Sequence, residues 1–577
     1  VANSIWAQKS GDTFATPYAG DATGRDAAYA YVSGNGHVSF MPGTEAVGLG
    51  TVPSGVTVDR VGAGAIHRIG DTYHRGRPWF DGRAFGAKGD NATDDTGAIQ
   101  AALTAAVSAG GGIVYLPPGT YRTTAELSLN GSNVKVLLAP GATVKAMATF
   151  TGSSPALLQI GDNSTAYSNI TVEGGKWDGN LLATYCIIAL GPLTNAALRF
   201  AEITGSLSTS VDFRGIASGT PITGVLAEGC YVHDTYEGIQ AVDATDVRFI
   251  GNHVVDMTGS GGPQDCLEIA TRVNRFVVAN NTCRNPGPAD SCIDIFEDCH
   301  DGLVVNNVCT RSSATGTSYG ITMAQNTVPC SRVIIAGNAI AGGFQAGISL
   351  SAGQSDVLIA NNTIRDGNLA NSSMGIEVND CDDVLITGNR VSRMQSACVV
   401  LGSTNNRVAV INNDLADPWL GSTGINSHVY IGNAGATAIT IRGNRMWHTG
   451  SGVTFNISNT AGATVLVEDN DMGGIAGGGR PIENQNDSGL TVRRNRGFVT
   501  ENNGTATIAS GTTSIAVNHG LGRTPALEDI SVTGTNNPTN APGHVWISGV
   551  GATQFTINCA ANPGTGGATF VWTAAIV

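Results

Sequence analysis

Two acidic residues stand at equivalent places in neighbouring phrases of this sequence, Glu268 in DCLEIA and Asp294 in SCIDIF. Asp265, Asp290, Glu297 and Asp298 lie close to them, and Glu237 and Asp243 occupy the preceding phrase, EGIQAVD. Carboxylates held close together resist joint ionisation, so one of them keeps its proton towards neutral pH. An acid beside a carboxylate is the equipment for breaking a glycosidic bond. A separation of roughly 5 Å suits a nucleophile and its acid, and roughly 6.5–9.5 Å leaves room for an attacking water. We therefore expect Glu268 and Asp294 to be the catalytic pair, with Asp265 and Glu297 as alternates. Glu237, Gln240, Asp243, Tyr236, Tyr319 and Gln325 are expected to bind substrate hydroxyls or stack on a ring. The competing reading is plain: outward strand positions are often polar only because they face water. Stacked acids also attract calcium, but no EF-hand spacing is present, and neither metal nor cofactor is expected.

What must position these acids is a repeat. A short Val/Ile-rich phrase ending in Asn recurs at Asn252, Asn281, Asn307, Asn338, Asn362, Asn389, Asn413, Asn444, Asn470 and Asn495. Neighbouring asparagines are 24 to 31 residues apart, the mark of a stacked solenoid. The phrases carry no i, i+3, i+4 stripe, so the unit is β. Coils that cannot bury their apolar faces alone bury them by stacking. The Asn slot has two physical uses: tolerance of a left-handed bend, and an amide that can bond the equivalent amide one coil away. A second phrase follows each Asn. Aligned on its apolar residue, its next position points outward. That ladder reads Gln240, Glu268, Asp294, Thr322, Ser349, Glu377, Val400. Adjacent strands lie about 4.8 Å apart, which sets Glu268 and Asp294 side by side.

Composition narrows the partners. The 577 residues carry a net charge of −14 with only 13% charged side chains, which disfavours nucleic acid and favours neutral, hydrogen-bonding ligands such as sugars. No apolar run is long enough for a membrane span, and no signal peptide is visible. The 78 glycines are aperiodic and mixed with Val, Ile and Thr, as expected for many turns. Several of the 11 cysteines fall in repeat slots that hold Val, Ile or Gly elsewhere, so they are expected to be small buried thiols from a reducing cytoplasm.

Residues 79–124 add a more specific signal. Asp94 or Asp95 can cap a helix whose stripe is Ile99, Leu103 and Val107; the Gly110-Gly111-Gly112 run ends it and Pro117-Pro118-Gly119 turns the chain. A helix there can shield the open first coil of a solenoid. The phrases FGAKGD, DDTGAIQ and GGIVYLPPGTY resemble the entry motif of the pectate-lyase-like right-handed β-helix superfamily. That group includes polygalacturonases, phage tailspikes, polysaccharide lyases and fructan-cleaving transferases. The resemblance covers roughly residues 79–500 and implies a right-handed parallel β-helix; its tailspike members imply a homotrimer. Residues 501–577, with Thr-rich alternation between Gly/Asn/Pro turns, read as an antiparallel β-sandwich. Residues 1–78 are expected to be an attachment region or an extra coil.

The expected fold is therefore all-β: an N-terminal capping helix, a right-handed parallel β-helix and a C-terminal antiparallel sandwich. The expected function is of the phage tailspike type: binding and hydrolysing a bacterial surface polysaccharide, at a virion or extracellular location. The rivals are a secreted carbohydrate-active β-helix enzyme, such as a fructotransferase, hydrolase or lyase, and a non-enzymatic adhesive spike.

Overall fold

The computed structural model describes residues 78–576, apart from short stretches at 153, 217–218, 259–263, 314–315, 368–372, 419–424, 434, 450–452, 454, 461–462, 474–480 and 485–488, together with the strand pair Ser4–Ile5 and Tyr18–Ala19. The remainder of the expected N-terminal region, residues 1–78, lies outside the described residues. The chain divides into two compact units, Val1–His253 and Val254–Val577.

Each unit is built on right-handed parallel β-coils. A coil gives one strand to each of three parallel sheets. In the first unit one sheet runs from Trp79–Asp81 through Gly112–Leu116 to Ala244–Ile250. In the second unit the three sheets begin at Leu267–Ala270, Asn274–Ala279 and Thr282–Arg284 and end at Ile482–Asn484, Leu490–Arg493 and Asp471–Met472. Strand alternation decides what is inside: Val134, Val136 and Leu138 are buried, while Lys135 and Leu137 are half out. Parallel register then stacks like on like. Ile335, Ile359, Ile386 and Val410 form one such column, each fully buried. Each buried side chain of this size contributes roughly 1.5–3 kcal/mol.

The asparagine ladder forms as expected. From Asn307 to Asn495 the Oδ1 of each ladder residue accepts the backbone N–H of the one before, for instance Asn307 N to Asn338 Oδ1 at 2.9 Å. From Asn307 to Asn470 each Nδ2 donates both to the next Oδ1 and to a carbonyl one coil back; Asn338 Nδ2 reaches Asn362 Oδ1 and Val304 O, both at 2.9 Å. One detail differs. The left-handed bend falls one residue earlier, at Asn280, Asn306, Asn361 and Asn412 and at Gly337, Gly388 and Gly443. The ladder asparagines are tied along the stack by their amide bonds, and the preceding residue carries the positive φ.

The N-terminal helix, Thr96–Ser108, buries Ile99, Ala102, Leu103 and Ala106, with Val107 half-buried over Gly131. Asp95 holds the N-cap position without a side-chain bond to the helix, and Asp94 before it accepts from Thr96 N at 3.0 Å. Asp95 instead accepts from Lys88 N at 2.6 Å and Gly89 N at 3.1 Å, fixing the FGAKGD loop. Gln100 closes the sheet: Leu127–Leu129 is an edge strand, and the Gln100 amide donates to Ser128 O at 2.9 Å and accepts from Ser128 N at 2.8 Å. A side chain here stands in for the missing strand. Gly119 has φ 155°, and a Cβ on it would lie 2.6 Å from Gly89 O, so the PPGTY turn requires glycine.

From Glu501 the chain turns antiparallel, forming two three-stranded sheets. Phe555 of one sheet packs edge-on against Trp572 of the other, with ring centroids 5.6 Å apart. All 11 cysteines are buried free thiols. Cys283 and Cys309 are register partners on consecutive coils, as the repeat slots imply.

Candidate active site

The outward ladder is realised in the second unit. Glu268 is the register partner of Asp294, Asp294 of Thr322, Thr322 of Ser349, Ser349 of Glu377 and Glu377 of Val400. Leu267, Ile269, Ile293 and Ile295, on either side of the two acids, are buried in the core. Strand alternation therefore drives both carboxyls to the same outer face.

Asp265 joins them from the turn before Leu267–Ala270. One oxygen from each of Asp265, Glu268 and Asp294 lies within 4.8 Å of the others. Asp265 and Glu268 are buried, at 4% and 6% exposure. Asp294 is half-buried, and its Oδ1 is shut off from solvent without a hydrogen-bond partner. Burial, followed by the Glu268 charge, holds the Asp294 carboxyl well above the usual carboxylate range. Burial, followed by the charges of Asp294 and Glu268, does the same to Asp265, although Ser291 N donates to its Oδ1 at 2.6 Å. Asp290 adds charge to both, and burial raises its own pKa. The cluster therefore stores protons beside carboxylate oxygens. The same three oxygens are close enough to ligate one cation.

Glu297 is not part of this group. It has a left-handed backbone at φ 61°, and its carboxylate accepts from the backbone of Asn326 at 2.6 Å, of Thr327 at 3.0 Å and of Val328 at 3.0 Å, and from the Thr327 hydroxyl. Those bonds, the Thr327 hydroxyl first, pull its pKa down to about 2. Glu297 is thus a loop anchor that stays ionised. Tyr319 heads the strand beside Ser291, half-buried, with its pKa raised by burial and then by Glu377. Gln325 closes that strand, half-buried, with a buried Oε1 that has no partner. In the first unit, Glu237 is buried and accepts from Thr209 Oγ1 at 2.7 Å. Gln240 is half-buried and accepts from Arg214 at 3.2 Å, while Tyr236 is half-buried. Asp243 occupies the corner after Glu237–Val242 at φ 49°, which makes it a turn residue as much as a polar one.

A family model described as rhamnogalacturonase A/epimerase, pectate lyase-like, matches residues 79–176. Residues 79–176 carry a pectate-lyase-like domain at the start of the parallel β-helix. Residues 217–419 match a second model, described as periplasmic copper-binding protein (NosD). Alginate lyase 7 of Azotobacter vinelandii is 62% identical over 45 residues, 8% of this chain and 5% of that protein. Depolymerase 1, capsule K3-specific, of Klebsiella phage KP32 is 36% identical over 101 residues, 16% of this chain and 11% of that protein. The chain thus spans a small part of the curated relatives it matches. The pre-mature gene product 12 of bacteriophage phi29 superposes with a TM-score of 0.51 at 15% identity, over 69% of this chain and 57% of that one, a likeness of fold.

One buried acid of the β-helix escaped the sequence reading. Asp212, fully buried, is the register partner of Gln240 and is gripped by Arg214 at 2.7 Å. Burial raises its pKa against the opposing pull of Arg214. Extending the outward ladder one phrase back, to VDFR, would have exposed it.

Proposed function

We propose that this chain is a tailspike-type depolymerase that hydrolyses a bacterial surface polysaccharide, with Asp294 and Glu268 as the working pair. The observation that carries the reading is the convergence of three carboxyl oxygens within 4.8 Å. A spacing near 5 Å suits a retaining pair. In that chemistry the protonated Asp294 gives its proton to the glycosidic oxygen as the C–O bond breaks. The Glu268 carboxylate attacks the sugar carbon and forms an ester. Water, losing a proton to the Asp294 carboxylate, then cleaves the ester. Asp265 remains the third member, anchored by Ser291 N–H, and its proton or charge sets the state of the other two. The partial match to a capsule-specific depolymerase supports a bacterial surface glycan over the rival substrates. We extend the reading to a homotrimer borne on a virion or acting outside the cell, with residues 79–500 as the helical body and 501–577 as a separate terminal module.

The test is a screen of the purified chain against capsular and O-antigen polysaccharides, with inulin and pectin alongside, reading product size by mass spectrometry. Cleavage of a bacterial surface glycan, lost in Glu268→Gln and in Asp294→Asn, supports the proposal. Cleavage of a fructan or pectin instead makes the chain a secreted carbohydrate-active enzyme. Binding without cleavage makes it an adhesive spike and removes the catalytic role of both acids.

A further inference from the structure

The sheet that begins at Asn274–Ala279 carries an unusual outer face. Its outward positions form an in-register column of Val277, Leu303, Ile334, Leu358, Leu385 and Ala409. The next outward column, Ala279, Val305, Ala336, Ala360, Thr387 and Ile411, is apolar but for Thr387, with Ala279 and Ala360 buried. Leu303, Ile334 and Leu385 are 39%, 37% and 38% exposed, so no described residue covers them. A polar coat is the rule on a solvated sheet face; here six consecutive coils break it in the same place. At about 4.8 Å per strand and about 6.7 Å per outward step along a strand, the strip spans roughly 400 Å² of flat apolar surface. Single exposed hydrophobics need no explanation, but a contiguous patch of this size marks an interaction site.

The surroundings say what the partner is. Along one edge of the strip runs a third column, Arg275, Asp301, Arg332, Asp356, Asp383 and Arg407, all exposed and all with left-handed backbone. Three arginines and three aspartates balance, and they are tied across coils, Arg332 to Asp301 at 2.6 Å and Arg407 to Asp383 at 2.5 Å. A neutral rim of this kind offers nothing to a polyanion or a polycation. The backbone of the face is fully engaged in the sheet, so a partner docks by side chains and not by strand addition. The ridges repeat at the strand spacing. A rigid surface with that same spacing fits them over the full length, and another copy of this coil stack is such a surface. A standard interface takes about 800 Å² from each partner, so the apolar strip supplies about half, and the rim with the neighbouring corners supplies the rest.

We propose that this strip is the surface through which copies of this chain associate side by side. It rests on the assembly part of the proposed function and is independent of the carboxylate cluster. The strip and the acids lie on different sheets, so substitutions in the strip leave the acids in place.

The experiment is sedimentation of the full chain at several concentrations, joined to hydroxyl-radical footprinting of the native protein. The wild type is expected to sediment as an oligomer, with Leu303, Ile334 and Leu385 labelled at least fivefold less than the exposed Leu527 of the terminal module, which is 55% exposed. The triple variant Leu303→Asp, Ile334→Lys, Leu385→Asp is expected to sediment as a monomer with an unchanged far-ultraviolet spectrum. Should that variant fail to fold, the wild-type footprint alone decides. A monomeric wild type overturns both the inference and the assembly reading. An oligomer whose strip labels like Leu527 overturns the inference and leaves the assembly reading standing. A strip protected in a monomer means another part of the chain covers it, and overturns the inference as well.

Discussion

Glu268 and Asp294 are register partners on adjacent parallel strands, with Asp265 completing a triangle whose carboxyl oxygens lie within 4.8 Å. Like charges directly opposite on a sheet are destabilising, and this site stacks them and buries two of the three. The arrangement therefore makes definite predictions about pH and about substitution.

Stability should fall as pH rises through the raised pKa values of Asp294 and Asp265. In the folded chain these carboxyls hold protons that the unfolded chain has already released, so folding takes up protons in that window. The stabilisation is complete below the ordinary carboxylate pKa and lost above the raised one. Urea unfolding at a series of pH values checks the sign: the double variant Asp265→Asn, Asp294→Asn should lose most of the downward slope.

Glu268→Gln removes the charge that, after burial, does most to hold Asp294 protonated. Activity should fall to background, a drop of roughly 10⁶-fold, as for loss of a nucleophile. The pKa of Asp294, followed by carboxyl infrared bands with Asp294→Asn as the reference, should move downward. Stability near neutral pH should stay the same or rise, because a buried like-charge contact is gone.

Asn338→Ala should unfold the stack locally. It strips partners from Asn307 N–H, Asn307 Nδ2, Asn362 Oδ1 and Val304 O at once. Asn307 N–H is left without that acceptor, at about 1–3 kcal/mol, while Asn307 Nδ2 keeps Val278 O and Asn362 Oδ1 keeps Asn338 N–H, so we expect a loss of about 2–3 kcal/mol, seen as faster amide exchange in the coils around residue 338.

Gln100→Ala should expose an edge. Ser128 loses both backbone partners that the glutamine amide supplies. We expect a loss of about 1–3 kcal/mol and a rise in aggregation on mild heating, measured by light scattering; Gln100→Glu should restore only the accepting half.

The 11 cysteines should be silent in the native state. Burial pushes the Cys230 thiol up to about 11 and the Cys186 thiol up to about 12, whereas the Cys283 and Cys292 thiols pull Cys309 down to about 5, so enclosure and not thiol acidity is what protects Cys309. A thiol reagent should label none quickly at neutral pH and all of them after denaturation. Fast labelling of any one would contradict the packed interior.

The repeat was legible because a parallel stack writes the same residue into the same slot, coil after coil. Asn307, Asn338 and Asn362 align in sequence for the reason they bond in space. The outward ladder was legible by the same alternation, so the partnership of Glu268 and Asp294 followed from counting. What counting could not supply was direction at corners. Glu297 and Asp243 lie where the backbone turns left-handed, and there alternation no longer says which way a side chain points. Glu297 was grouped with the acids on proximity in sequence, yet it reaches across to cap the Asn326–Val328 loop. Asp212 was missed because its phrase sits in a less regular stretch. The apolar strip was missed because Leu303, Ile334 and Leu385 look like core residues until the left-handed corner sets their phase.

The most direct test of the central claim is to cleave the identified glycan in water enriched in heavy oxygen and weigh the products. Hydrolysis by the Asp294–Glu268 pair predicts one heavy oxygen at each new reducing end, no unsaturated sugar, and no product above background from the Glu268→Gln, Asp294→Asn double variant. Products without the label and bearing a double bond, or an undiminished rate in the double variant, would contradict it.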